Sequence, residues 1–139
     1  MLRHVFDTDH LTLFDHGHAR LRQRLLAEPA GSVGISPVTI QEYLKGRLAA
    51  LARHPSGPPQ VKGYANLVAS VFLFQQFPIA PFDVACESQF QRLRALRLRV
   101  GTQDLKIAAV AQANQLVVLT RNRRDFGRVP GLLVDDWSV

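Results

Sequence analysis

The run LVVLT at 116–120 is the feature that most restricts how this chain can fold. It is apolar up to its final threonine, is rich in β-branched residues, and shows no alternation with polar residues. Such a run is typical of a strand that is covered on both faces. Strands of this kind belong to parallel sheets with helices packed on each side. The run therefore predicts a central parallel strand in an α/β domain.

Strand-like and helical segments alternate along the rest of the chain. Strands are predicted at 3–7, 33–36 and 132–134, with a minor strand or edge segment at 78–82. Helices are predicted from about residue 9, over 19–27, from residue 37, over 61–76, after residue 83 and over 103–114. The helix over 61–76 is predicted to be mostly buried, because one side carries Tyr64, Leu67, Val68, Val71 and Phe72. Together the segments predict one domain over 1–139, a three-layer α/β/α fold with a central, mainly parallel sheet of four to five strands.

The charge balance is basic. The sequence has 17 lysines and arginines against 11 acids, which leaves a formal charge of +6. Basic domains favour polyanionic partners, although an arginine-rich base composition explains the balance nearly as well. The arginines concentrate in two segments: Arg92, Arg94, Arg97 and Arg99, and Arg121, Arg123, Arg124 and Arg128. A positive surface around an acidic centre suits a metal-dependent site that cuts nucleic acid.

Other features narrow the class of protein. No apolar run is long enough to cross a bilayer and the first residues do not resemble a signal peptide, so we expect a cytoplasmic protein. The single cysteine, Cys86, excludes an internal disulfide and a thiolate cluster, and is expected to be a small buried side chain. His16 and His18 have no third ligand at a known spacing, which favours a solvated turn over a zinc site.

The stretch VFDTDHL places two acids, Asp7 and Asp9, at the end of the first predicted strand. Neighbouring like charges disfavour ionisation unless solvent or a bound cation compensates them. Asp9 fits the N-cap of the following helix, which leaves Asp7 without a structural role. Because the carboxyl ends of parallel strands border the ligand crevice, Asp7 is the first candidate site residue.

Glu42 has two interpretations of nearly equal weight. It completes a capping box if its helix begins at Thr39, in which case its carboxylate reaches back to a backbone N–H. If the helix instead begins at Ser36, with proline at the first helical position, Glu42 lies well inside the helix and is free to face the crevice.

Two acids of the second half complete the candidate set. Asp104 precedes an apolar helix, where a negative charge ordinarily stabilises the helix terminus, but it is also the acid nearest the presumed carboxyl edge. Asp125 lies in a polar loop after Thr120, and a surface ion pair with Arg124 is its ordinary explanation. Acids gathered from distant segments need compensation, which Mg²⁺ or Mn²⁺ supplies. The implied chemistry is metal-activated water attacking a phosphodiester.

With these residues in view, the chain resembles PIN-domain ribonucleases, specifically the VapC toxins of type II toxin–antitoxin systems. The resemblance covers nearly the whole length and rests on FDTDHL, ISPVTIQEYLKG, GTQDLKIAAVA and LTRNRRDFGRVPGLLVDDW. The last two motifs are the most specific. The resemblance implies Mg²⁺-dependent endonucleolytic cleavage of RNA, a homodimer, and silencing by a cognate antitoxin protein.

The resemblance also implies an acidic catalytic site formed by Asp7, Glu42 and Asp104, with Asp125 as the candidate for a fourth acid. Asp7 and Asp104 would be its principal Mg²⁺ ligands. The family places Asp or Asn two residues after the threonine, here Thr120, and this chain has Asn122 there. Whether Asn122 or Asp125 completes the site is therefore open. Relatives commonly carry Asn where this chain has Asp9, and the added charge would raise the demand for metal.

Two alternatives come from other classes of protein. In a haloacid-dehalogenase-type phosphatase, Asp7 would be the nucleophile and Asp135 and Asp136 the late acidic pair. That interpretation has no place for a phosphate-binding lysine, and only three residues follow the pair. In a non-catalytic RNA-binding or partner-binding domain, the acids would be helix caps and surface ion pairs.

Overall fold

The computed structural model describes residues 1–139 and contains one sheet of four parallel strands. The strands are β1 His4–Phe6, β2 Val33–Gly34, β3 Val117–Leu119 and β4 Val134–Asp135. Their order in the sheet is β2-β1-β3-β4, so the LVVLT segment is an inner strand, as predicted. The chain moves to one side of β1 to form β2 and to the other side to form β3. The carboxyl ends of β1 and β3 therefore flank the point where strand order reverses, which is where open α/β sheets bind ligands.

Seven helices surround this sheet. They are α1 Thr8–Asp15, α2 Ala19–Leu26, α3 Pro37–Arg53, α4 Pro58–Gln75, α5 Val84–Ala95, α6 Thr102–Ala113 and α7 Arg123–Phe126. Helix α4 begins three residues before the predicted start, because Pro58 and Pro59 occupy the first turn, where proline is tolerated. The edge segment predicted at 78–82 forms only a single parallel bridge, between Ile35 and Ile79.

Two apolar cores lie on the two faces of the sheet, which confirms the three-layer prediction. Val5 and Val118 point into a core built mainly by α5 and α6, which also contains the buried Cys86. Phe6 and Leu119 point to the opposite face, into a core with α1, α2, α3, the end of α4 and Trp137. The alternation of neighbouring strand residues between the two cores follows from the period of two in a β-strand.

The predicted burial of helix α4 is wrong. Its apolar stripe faces solvent instead, and four of its members keep about half or more of their surface exposed: Tyr64 54%, Val68 54%, Val71 47% and Phe72 63%. The buried positions of α4 are Gly63, Ser70, Leu73 and Phe74. Gly63 allows close approach to α3, because a Cβ there would lie 2.7 Å from Leu51 Cδ2. Periodicity identified an apolar face correctly, but no other part of this chain covers it. None of the helices is both long and apolar enough to span a membrane.

Candidate active site

Asp7 is at the centre of the candidate site. It follows β1 directly, is only 4% exposed, and its backbone N–H donates to the Leu119 carbonyl at 3.0 Å. The prediction that Asp9 caps the first helix is wrong. Asp7 is the N-cap, because its extended backbone precedes Thr8 and its Oδ1 accepts the His10 backbone N–H at 2.8 Å. Asp7 therefore has a structural role as well as its place at the strand end.

Burial makes the Asp7 carboxylate costly to ionise. Desolvation is the largest influence and raises its pKa to about 7, and the charges of Asp9 and Asp104 push in the same direction. Hydrogen bonds from the buried Thr120 hydroxyl and the His10 backbone oppose the shift only in part. The site thus favours either a proton or a cation beside Asp7.

Asp9 lies beside this centre but is held in an ion pair. Its two carboxylate oxygens accept hydrogen bonds from Arg121 Nη2 at 2.7 Å and Nε at 2.8 Å. Ligand atoms of Asp7, Asp9 and His10 all lie within 4.8 Å of one another. The bidentate ion pair already compensates the Asp9 charge, so Asp9 is not a free ligand.

Of the two interpretations of Glu42, the structure matches the one in which its helix begins at Ser36. Helix α3 begins after Ser36, whose hydroxyl accepts the Thr39 N–H at 3.2 Å, so Glu42 lies inside the helix. The Thr8 hydroxyl donates to Glu42 Oε1 at 2.6 Å and joins α1 to α3. Thr8 was not anticipated from the sequence. Glu42 lines both a cleft of about 380 Å³ shared with Thr8 and one of about 630 Å³ shared with Gln103.

Asp104 lies in the first turn of α6 and is half-buried. Desolvation raises its pKa, and the charges of Glu42 and Asp125 raise it further. Asp104 also raises the pKa of Asp7. Asp104 therefore lies close enough to each of the other three acids proposed from the sequence for their charges to repel.

Asp125 forms an ion pair, and it forms hydrogen bonds with more side chains than the other three acids of the candidate set. Its Oδ1 accepts from Arg128 Nη1 at 3.1 Å and its Oδ2 accepts from Asn122 Nδ2 at 2.9 Å. The predicted pairing with Arg124 is wrong, because Arg128 lies one helical turn further on and faces Asp125. Asn122 in turn caps α7 by accepting the Asp125 N–H at 3.2 Å. The two residues that competed for the fourth position form one hydrogen-bonded unit.

His10 is a further buried residue beside Asp7, and no local sequence pattern marks it as a site residue. Its side chain is fully buried, and Nε2 accepts the Trp137 backbone N–H at 3.1 Å. Because Nε2 uses its lone pair for this bond, the proton of the neutral ring sits on Nδ1. With the Nε2 lone pair in this bond and the proton on Nδ1, His10 offers no lone pair to a metal ion.

The remaining acids and histidines of interest are committed elsewhere. Asp135 accepts the Trp137 indole N–H at 3.1 Å and pairs with two arginines at 3.4 Å, and Asp136 Oδ1 accepts from Ser138. The late acidic pair of the phosphatase alternative is therefore not free. His16 follows the end of α1 and His18 caps α2 by accepting the Leu21 N–H at 3.2 Å, as expected of a turn.

The donor set fits a hard divalent cation. The groups without a cationic partner are carboxylates: Asp7, Glu42 and Asp104 form no ion pair with any lysine or arginine. Oxygen-only donors with no thiolate or free imidazole are the ligands that Mg²⁺ and Mn²⁺ prefer. A cation between them would relieve the repulsion that raises the pKa of Asp7 and of Asp104.

The chain is similar to known proteins over nearly its whole length. Residues 5–132 match the PIN domain family. The chain is 29% identical over 144 residues to the tRNA(fMet)-specific endonuclease VapC of Shigella flexneri, covering 99% of this chain and all of the relative. It is 30% identical over 107 residues, 74% of each chain, to the protein of the same name from Salmonella typhimurium. A chain of the DNA-bound VapBC structure from Salmonella typhimurium superposes with a TM-score of 0.78 at 25% identity over 99% of both chains. The protein therefore belongs to the PIN-domain family and, within it, to the VapC proteins.

Proposed function

We propose that this protein is a Mg²⁺-dependent endoribonuclease, the toxin component of a type II toxin–antitoxin system. The observation that carries the proposal is the group of uncompensated acids at the carboxyl ends of β1 and β3. VapC relatives named as tRNA(fMet)-specific endonucleases support RNA as the substrate. Mn²⁺ would serve in place of Mg²⁺, since both prefer carboxylate oxygens.

Each acid has a distinct role in this proposal. Asp7 and Asp104 would hold the cation, which when bound would supply Lewis-acid polarisation of the phosphodiester and activation of water as a nucleophile. Glu42 Oε1 is fixed by the Thr8 hydroxyl, which leaves Oε2 to accept the proton of the attacking water. Asp125 acts through its charge on Asp104, while Asn122 and Arg128 hold its two oxygens.

A basic surface next to the acids supports a polyanionic substrate. We call residues 92–99, which comprise the last turn of α5 and the first part of the loop to α6, the arginine segment; its four arginines are exposed and form no ion pair. Arg128 Nη1 joins this segment to the site, because it donates to the Arg99 carbonyl at 2.6 Å as well as to Asp125. Arg94 and Lys106 also line one cleft of about 250 Å³ with Thr102, two residues before Asp104. Phosphate groups bound here would lead an RNA strand to Asp104.

The exposed face of α4 supports contact with another protein. Clusters of exposed apolar side chains are typical of interaction sites, and VapBC complexes are among the similar structures. The expected partners are a second copy of this chain and a cognate antitoxin. Light scattering after size exclusion would distinguish them: a homodimer through α4 becomes a monomer on Phe72→Asp, whereas an antitoxin-only face leaves the isolated chain monomeric in both forms.

Cleavage of total RNA with and without EDTA tests the proposed activity. We expect Mg²⁺-dependent cleavage that EDTA abolishes and that Asp104→Asn loses. Glu28→Gln is the matched control, because it removes an acid that makes no side-chain hydrogen bond or ion pair and lies outside the site. Cleavage that persists in EDTA would contradict the role of the metal, and an intact Asp104→Asn enzyme would contradict the role of the acids.

A further inference from the structure

His10 connects the candidate metal ligand Asp7 to the last residues of the chain. On one side, its Nε2 accepts the Trp137 backbone N–H at 3.1 Å. The nearby Asp136 Oδ1, at 3.6 Å from Nε2, does not compete for this nitrogen, since it already accepts the Ser138 N–H and hydroxyl at 2.8 and 2.6 Å. The bond to Trp137 therefore fixes the ring orientation and its tautomer.

On the other side, the Nδ1–H group has no hydrogen-bond partner although it is completely buried. The carboxylate that it faces is Asp7, with Nδ1 at 3.8 Å from Oδ1. This distance is too long for a hydrogen bond, but a shift of less than about 1 Å would form one. An unpaired buried N–H ordinarily costs about 1–3 kcal/mol, so its position beside a buried carboxylate calls for an explanation.

We propose that His10 is a positioning residue for the cation site: its Nδ1–H group orients the Asp7 carboxylate. The inference rests on the proposed function, because it assigns His10 to the residues that support the ligand rather than to the ligands. A residue that forms a hydrogen bond to a metal ligand holds that ligand in its binding orientation. Loss of such a supporting residue commonly weakens metal affinity by about 10- to 100-fold. The backbone N–H of Trp137, near the other end of the sequence, thus helps to hold His10 beside Asp7.

Two variants separate this role from simple packing. His10→Asn retains a donor near the Nδ1 position but loses the acceptor for Trp137, whereas His10→Gln retains an acceptor near Nε2 but loses the donor that faces Asp7. The measurements are Mn²⁺ affinity by calorimetry on EDTA-stripped protein and the midpoint of thermal unfolding. We expect His10→Gln to bind Mn²⁺ at least about tenfold more weakly than wild type, and His10→Asn to stay within about threefold despite a lower unfolding temperature.

If His10 served only in packing, Mn²⁺ affinity would follow the unfolding temperature, and His10→Gln would bind Mn²⁺ about as tightly as wild type. That result would overturn the inference. Nitrogen-15 NMR of wild-type His10 provides a test that needs no variant to fold. The Nδ1–H tautomer is expected, and a proton on Nε2 would overturn the inference. Wild-type protein that binds no Mn²⁺ would contradict the proposed function itself, whereas normal wild-type binding with unchanged His10→Gln affinity would contradict the role of His10 alone.

Discussion

Arg121 holds both carboxylate oxygens of Asp9 with hydrogen bonds of 2.7 and 2.8 Å. The pair joins the first turn of α1 to the loop after β3 and leaves Asp7, two residues earlier, without any such partner. Two acids that look equivalent in the sequence therefore have opposite electrostatic environments. Both side chains of the pair are about half exposed, so the pair itself contributes at most about 1 kcal/mol to stability.

Asp7→Asn and Asp9→Asn are consequently expected to differ although each removes one charge. Asp7→Asn should lower RNA cleavage by more than about 100-fold, because it removes a cation ligand. Asp9→Asn should change cleavage by less than about fivefold, because that carboxylate is already occupied by Arg121. Initial rates at saturating Mg²⁺ provide the measurement, and equal losses in the two variants would contradict this assignment.

The stability of the metal-free protein should fall as pH rises, because of Asp7. The pKa of Asp7 is raised from 3.8 to about 7 in the folded protein, so between these values the folded state keeps a proton that the unfolded state has lost. The stabilising effect of this proton is complete below about pH 4 and is lost as pH rises through about 7, a difference of up to about 4 kcal/mol. Urea unfolding in EDTA at pH 5 and pH 8 measures it.

Asp7→Asn is the control for this pH dependence. Asparagine is as good an N-cap as aspartate, so the variant keeps the bond to the His10 N–H and removes only the titration. Relative to wild type, we expect it to gain clearly more stability at pH 8 than at pH 5. Mg²⁺ should stabilise wild type at pH 8 but not the variant. A wild-type minus variant difference that is the same at both pH values would contradict the account.

Removal of the Thr8 hydroxyl should reduce activity more than stability. Thr8→Val keeps the shape of the side chain but releases Glu42 Oε1, and we expect a loss of about 10- to 100-fold in cleavage rate. The unfolding free energy should fall by only about 1 kcal/mol. Thr12→Val is the matched control, since Thr12 lines the same cleft and bonds only to the Thr8 carbonyl. Equal effects of the two variants on cleavage would show that Thr8 does not position Glu42.

Charge reversal in the arginine segment should weaken RNA binding in a salt-dependent way. Binding of an RNA oligonucleotide to Asp104→Asn in EDTA separates affinity from cleavage. Adding Arg94→Glu and Arg97→Glu should reduce the slope of log affinity against log salt concentration by about 1 to 2. Arg20→Glu with Arg53→Glu removes two exposed arginines from α2 and α3 instead. If the control pair has the same effect, the arginine segment is not a specific docking surface.

Local sequence rules were sufficient for the parts of the site that depend on strand ends and helix starts. Asp7 and Thr120 meet because β1 and β3 are parallel neighbours, with Phe6 opposite Leu119. Glu42 faces the crevice because Ser36 and Pro37 start its helix, as one of the two interpretations required. Such rules depend on residues within a few positions of one another.

The features that the sequence did not reveal depend on distant contacts. Asp9 and Arg121 are separated by 112 positions and His10 and Trp137 by 127, so nothing local marks either pair. Asp7 and Asp9 both satisfy the capping preference, and only the path of the chain out of β1 decides that Asp7 is the N-cap. The burial predicted for the apolar stripe of α4 is wrong because periodicity identifies an apolar face without identifying what covers it.

The proposed function requires Asp7 and Asp104, from opposite halves of the chain, to bind one divalent cation. Anomalous diffraction from crystals soaked in Mn²⁺ can locate that cation. We expect a peak with carboxylate oxygens of both residues at about 2.0–2.4 Å. A peak elsewhere, or no peak at a concentration that saturates the protein in solution, would contradict the claim.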